Sequence, residues 1–131
     1  MNIVVAYRHS KQSEKMVEKA IEHARTFNGT IYLVTSLEGG SKDSADTVHS
    51  ARDALDRARE RIEKEGIPCE VSLLVRGLSP GEDIVEYARQ KKADEIIVGV
   101  QKKSKVGKFL MGSTAQHVIL NAGCPVIAIK F

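Results

Sequence analysis

Five short apolar runs, at residues 2–6, 31–37, 69–76, 95–98 and 126–129, alternate with four stretches whose apolar residues recur at helical spacing, and this alternation constrains the fold most. In the first run Ile3, Val4, Val5 and Ala6 are contiguous, the pattern of a strand covered on both faces. A helix is expected after Ser10, a candidate cap, with Val17, Ala20, Ile21, Ala24 and Phe27 on one face and Asn28-Gly29 as a left-handed stop. Residues 39–46 read as a long loop. The next helix carries Ala51, Ala54, Leu55, Ala58 and Ile62 opposite Arg52, Asp56, Arg57 and Glu60, and Gly66 with Pro68 ends it. Ser79-Pro80-Gly81-Glu82 has the composition of a capping box opening a third helix, in which Ile84, Val85 and Ala88 face inward. After an irregular stretch at 99–111, Ala115, Val118, Ile119 and Ala122 mark a last helix closed by Gly123. Strands alternating with helices require parallel pairing through right-handed crossovers, and helices on both sheet faces. The expected fold is a single α/β domain over residues 1–131, a doubly wound open parallel sheet flanked by four helices.

Composition narrows the function classes. With 131 residues, 42% apolar content and no tryptophan, the core is aliphatic. Twenty basic against seventeen acidic residues leave +3, too little to imply a nucleic-acid surface. No apolar run approaches the roughly 18 residues of a spanning helix, and Asn2 leads straight into a strand without the pattern of a leader, so a cytoplasmic protein that engages neither membrane nor nucleic acid is expected. Cys69 and Cys124 are too few for a disulfide framework or a zinc site. His9, His23, His49 and His117 form no metal-ligand spacing.

In open sheets of this kind ligands bind beyond the carboxyl ends of the strands, where strand order reverses. That directs attention to residues 7–10 and 99–113. The second of these segments, continued to Thr114, combines Gly99, Gly107 and Gly112 with Lys102, Lys103, Lys105 and Lys108 and the hydroxyls of Ser113 and Thr114. Gly99 would allow close backbone approach, and Gly112-Ser113-Thr114 at a helix start would offer free N–H groups and a positive dipole end to a phosphate. A solvated lysine loop with a serine cap is the alternative reading of the same residues. The Walker pattern fails because Lys102 and Phe109 stand where it requires glycine and a hydroxyl. Neither GxGxxG nor GxSxG occurs, and residues 39–44 have the wrong order for a pyrophosphatase loop. No catalytic apparatus is evident.

The spacing Gly99-x2-Lys102-x9-Gly112-Ser113, the segment Ala93-Asp94-Glu95-Ile96-Ile97-Val98-Gly99, the Val75-Arg76-Gly77 and Pro80 turn, and Cys124-Pro125-Val126 together resemble the universal stress protein family along the whole chain. The resemblance implies a Rossmann-like sheet of the adenine nucleotide alpha hydrolase kind, with strand order 3-2-1-4-5, and a homodimer paired through strand five. It implies ATP, ADP or AMP as ligand, with a divalent ion such as Mg or Mn accompanying ATP. The implied nucleotide-binding residues are Ala6, Tyr7, Arg8, Ser36, Val98, Gly99, Lys102, Lys103, Gly112, Ser113 and Thr114, in a stress-response signalling module whose occupancy a protein partner reads. Cys69 and Cys124 would then lie on opposite sheet edges, roughly 19 Å apart and beyond disulfide reach. Two positions depart from the family pattern: Lys102 replaces its second glycine, and Tyr7-Arg8-His9 stands where binders carry an aspartate. Two other readings stay open, a dimeric interaction protein that binds no nucleotide and an ATP-using transferase or phosphatase drawing on Asp43, Asp46 or Glu82.

Overall fold

The computed structural model describes residues 1–8, 10–40, 44–101 and 111–131. The elements follow as β1 (Asn2–Ala6), α1 (Ser13–Phe27), β2 (Thr30–Leu37), α2 (Ala45–Lys64), β3 (Cys69–Val75), α3 (Pro80–Gln90), β4 (Glu95–Val100), α4 (Ser113–Asn121) and β5 (Val126–Lys130). The strands form one parallel sheet in the order β3-β2-β1-β4-β5, as the resemblance implied. Alternate residues of each central strand feed two cores. Ile3, Val5, Ile31, Leu33 and Ile97 pack with α1 and α2, whereas Val4, Val34, Ile96, Val98 and Val100 pack with α3 and α4. Because both faces are covered, Ile3, Val4 and Val5 are each fully buried, which explains the unbroken apolar run.

Several local expectations are revised. β4 continues to Val100 rather than ending at Val98, carried on by pairing with Ile129 and Lys130 of β5. The loop expected over 39–46 is shorter, because α2 already begins at Ala45; the Ser44 hydroxyl caps it by accepting from the Thr47 N–H at 3.1 Å. Ser10 lies one turn before α1, where its hydroxyl accepts from the Ser13 N–H at 3.3 Å, and the cap position itself is Gln12. Ser79 and Pro80 hold the cap and first helical positions of α3, yet the Ser79 side chain makes no capping bond, so the expected box does not form. On α4 only Ala115 and Val118 are buried, and Ile119 is 39% exposed.

Two chain positions show why their residue types are needed. Asn28 adopts φ 52°, the left-handed conformation that closes α1, and its N–H donates to the Ala24 carbonyl. Gly81 lets α3 approach α4 closely, since a Cβ there would stand 2.7 Å from the Cβ of His117. Cys69 opens β3 and Cys124 precedes β5, at opposite edges of the sheet, and both are free thiols.

Candidate functional site

Strand order reverses at β1. Toward β2 its pairing runs through Ala6 with Val34 and continues as the Tyr7 N–H donates to the Val34 carbonyl at 2.8 Å. Toward β4 the register ends with Val5 opposite Ile97. The carboxyl end of the sheet therefore has a switch point with Ala6, Tyr7 and Arg8 on one lip and the end of β4 on the other. The turn after β1 is pinned by the buried Ser13, whose hydroxyl donates to the Arg8 carbonyl and lies 3.2 Å from that of Ser10. The Arg8 side chain is exposed.

Beside this point a cleft of about 440 Å³ opens between the strand ends and α2. Tyr7, Arg8, Thr35 and Leu37 line the sheet side, and Asp46, Thr47, Ser50, Ala51 and Ala54 line the helix side. Asp46, Ser50 and Ala54 recur every four residues and so form one stripe along α2. Thr35 donates its hydroxyl to the Tyr7 carbonyl at 2.8 Å, tying the two strand ends together. Burial raises the pKa of the Tyr7 phenol; Arg57 and Arg61 oppose that shift and Glu14 adds to it.

The expected site residues divide into four groups. Tyr7 and Arg8 line the cleft. Gly112, Ser113 and Thr114 sit at the start of α4, where Gly112 is the cap residue with no side-chain cap. The first N–H groups of this helix have no intrahelical acceptors, and they stand at its positive end. Lys102 and Lys103 lie outside the described residues, as do Lys105, Lys108, His9 and Asp43.

Of the remaining four positions, three turn their side chains elsewhere and the fourth has none. Ser36 is corrected from a base contact: it follows Thr35 by one residue, so strand alternation turns it to the α3 face, where its hydroxyl donates to Asp83 Oδ2 at 2.7 Å. Val98 is 2% exposed and packs in the core under α3 and α4, and the half-buried Ala6 faces the same way. At Gly99 a Cβ would meet the Phe131 ring at 2.6 Å and Met16 Sδ at 3.4 Å. Its missing side chain makes room for Phe131 on the α1 face. Val98 and Gly99 can offer a ligand only backbone groups.

Sequence reasoning passed over Asp83. It is fully buried in the first turn of α3, accepting from Ser36 and, through Oδ1, from Arg76 Nε at 2.6 Å; Arg76 Nη2 lies in ion-pair contact with Oδ1 at 2.5 Å and donates to the Asp83 carbonyl at 3.5 Å. Its signal was present: Asp83, Ile84, Tyr87 and Ala88 share one helical face, so an acid stood within an apolar stripe. Of the acids considered for metal chemistry, Asp46 lines the cleft and Glu82 is an exposed residue of α3. Among the described residues no three His, Cys, Asp or Glu side chains group as a metal site, and no helix is long and apolar enough to cross a membrane.

Comparison with known proteins agrees with this architecture. A sequence model described as the universal stress protein family matches residues 1–130. A universal stress protein of Methanocaldococcus jannaschii is 30% identical over 139 residues, covering 98% of this chain and 81% of the relative. The structure of a universal stress protein from Archaeoglobus fulgidus superposes with a TM-score of 0.89 at 39% identity, over 98% of this chain and 97% of that one. A universal stress protein structure from the same organism, in complex with dAMP, gives a TM-score of 0.82 at 36% identity, over 98% and 96% of the two chains.

Proposed function

The chain belongs to the universal stress protein family, and from that premise we propose that it is a stress-response module that binds an adenine nucleotide and signals by occupancy rather than catalysis. The observation that carries the reading is the conjunction, at one end of the sheet, of a nucleoside-sized cleft, the Arg8 guanidinium and the uncapped start of α4. The dAMP complex of the Archaeoglobus relative supports adenine as the base. In this reading the base lies in the cleft beside Tyr7, and Arg8 makes a forked contact with phosphate. The N–H groups and hydroxyls of Ser113 and Thr114 receive the phosphate end, with Lys102 and Lys103 adding positive charge and the backbone of Val98 and Gly99 closing the opposite side. ATP or AMP is the ligand, and a Mg or Mn ion accompanies ATP. The protein works in the cytoplasm as a homodimer paired through β5. The exposure of Ala128 on that edge strand, with Ile119 39% and Leu120 73% exposed on α4, supports that pairing.

The test is mass spectrometry of ligand released by acid from freshly purified protein, followed by calorimetric titration of the emptied protein with ATP and AMP. Recovered adenine nucleotide, or saturable binding of either, is the expected result. An empty protein that ignores both overturns the reading. It would favour the second one, a dimeric interaction protein with a closed site, which the Phe131 ring over Gly99 supports.

A further inference from the structure

The cleft beside β1 and β2 is polarised along its length. Ala54, 2% exposed, and Ala51 lie at its deep end with Leu37 and the half-buried Tyr7, whereas Asp46, one and two turns earlier on the same stripe, stands exposed at its mouth. A nucleoside is polarised in the same sense. Its base is a flat, largely apolar ring suited to the deep end, and its sugar carries two hydroxyl donors that seek acceptors near the mouth. Among the residues lining the cleft Asp46 is the one carboxylate. A carboxylate is an acceptor alone, with room for both sugar donors and a charge that strengthens each bond, whereas Arg8 has no acceptor and the hydroxyls of Thr35, Thr47 and Ser50 accept without that charge.

We propose that Asp46 accepts the hydroxyl hydrogens of a ribose held at the mouth of the cleft, making this site selective for ribonucleotides. Recognition of a sugar diol by an acid is a familiar arrangement in doubly wound folds, but here the acid comes from the first turn of a helix across the cleft instead of from a strand end. The assignment rests on the adenine-nucleotide reading above. It also has a distinctive electrostatic sign. Asp46 is a negative charge in the same cleft as the phosphate-binding Arg8, so its neutralisation would by Coulomb attraction alone tighten every nucleotide. Loss of a hydrogen bond to the sugar weakens only those ligands that have the hydroxyls.

The experiment is calorimetric titration of the full chain, emptied of ligand, with AMP and with 2′,3′-dideoxy-AMP, for the native protein, Asp46→Asn and the control Asp53→Asn. Asp53 lies outside the cleft and contacts His49 at 3.4 Å. The native protein and Asp53→Asn are expected to prefer AMP by about tenfold or more, the scale of a hydrogen bond to a charged group. Asp46→Asn is expected to bind AMP no better than the dideoxy analogue, with its affinity for the analogue unchanged or raised. Equal native affinity for the two ligands, or a preference that survives Asp46→Asn, overturns the assignment while leaving nucleotide binding intact. Absence of binding by any ligand to the native protein overturns both.

Discussion

Removing the Asp83 carboxylate tests the polar cluster that holds the end of β2 against α3. In Asp83→Ala, Ser36 loses its acceptor at a position only 9% exposed, and a hydroxyl stranded at such a site costs about 1–3 kcal/mol. Arg76 loses two contacts, but its side chain is 35% exposed and its guanidinium can turn to water. The cost of about 3–5 kcal/mol seen when a fully buried partner is stranded is therefore reduced here to about 1 kcal/mol. The sum is about 3 kcal/mol. For a domain with a urea m-value of about 2 kcal/mol per molar, the unfolding midpoint followed by circular dichroism falls by about 1.5 M. Ser36→Ala should cost less in the Asp83→Ala background than alone, by about 1 kcal/mol, because the donor then has nothing to lose. A midpoint drop below about 0.25 M, or strict additivity of the two changes, would show that this cluster does not hold β2.

Three further changes probe the ligand site, the edge and a thiol. Gly112→Val should abolish nucleotide binding with the fold intact, since a Cβ there meets nothing within 4 Å and φ is an ordinary −63°; retained affinity in calorimetry would remove the α4 start from the site. Successive residues of an edge strand direct their amides to opposite sides, so proline at one of Ile127 and Ala128 should remove an outward donor and give a folded monomer in sedimentation. Persistence of the dimer in both variants would put the interface elsewhere. Burial pushes the Cys69 thiol from 9.0 up to about 12, leaving a thiolate fraction of about one in ten thousand at pH 8, so a disulfide reagent should modify it far more slowly than a free cysteine until urea exposes it. Because folding raises this pKa, the protonated thiol is the form the fold favours. Its contribution to stability is complete below about pH 9 and declines as pH rises toward 12, and rapid labelling of native Cys69 at pH 8 would contradict the burial on which this rests.

Much of the architecture is legible in the sequence because it depends on local rules. Contiguous apolar runs such as 3–6 require cover on both faces, and helical spacing such as Val17, Ala20, Ile21 and Ala24 supplies that cover. Two helix caps depart from the sequence pattern in opposite ways. Ser44 caps α2 although it stands in a glycine, serine and aspartate cluster that reads as loop, and Ser79 has the right neighbours without making the bond. Caps depend on rotamers that residue order does not specify.

In the candidate site, the unusual chemistry of the strand ends, the glycine and hydroxyl start of α4, and the carboxyl edge that both occupy can be read from residue order. Those follow from composition and from the direction of parallel strands. Which side chains face the cleft depends on packing between distant elements. A strand apolar on both faces has no parity signal, so nothing in residues 33–37 shows that Thr35 and Leu37 turn toward α2 while Ser36 turns to Asp83. Nor could spacing show that Phe131 fills the hollow at Gly99, because pairing of β5 with β4 brings those residues together from 32 positions apart (131 − 99). The placement of Asp46 opposite Arg8 has the same origin, since it depends on how α2 packs across the sheet.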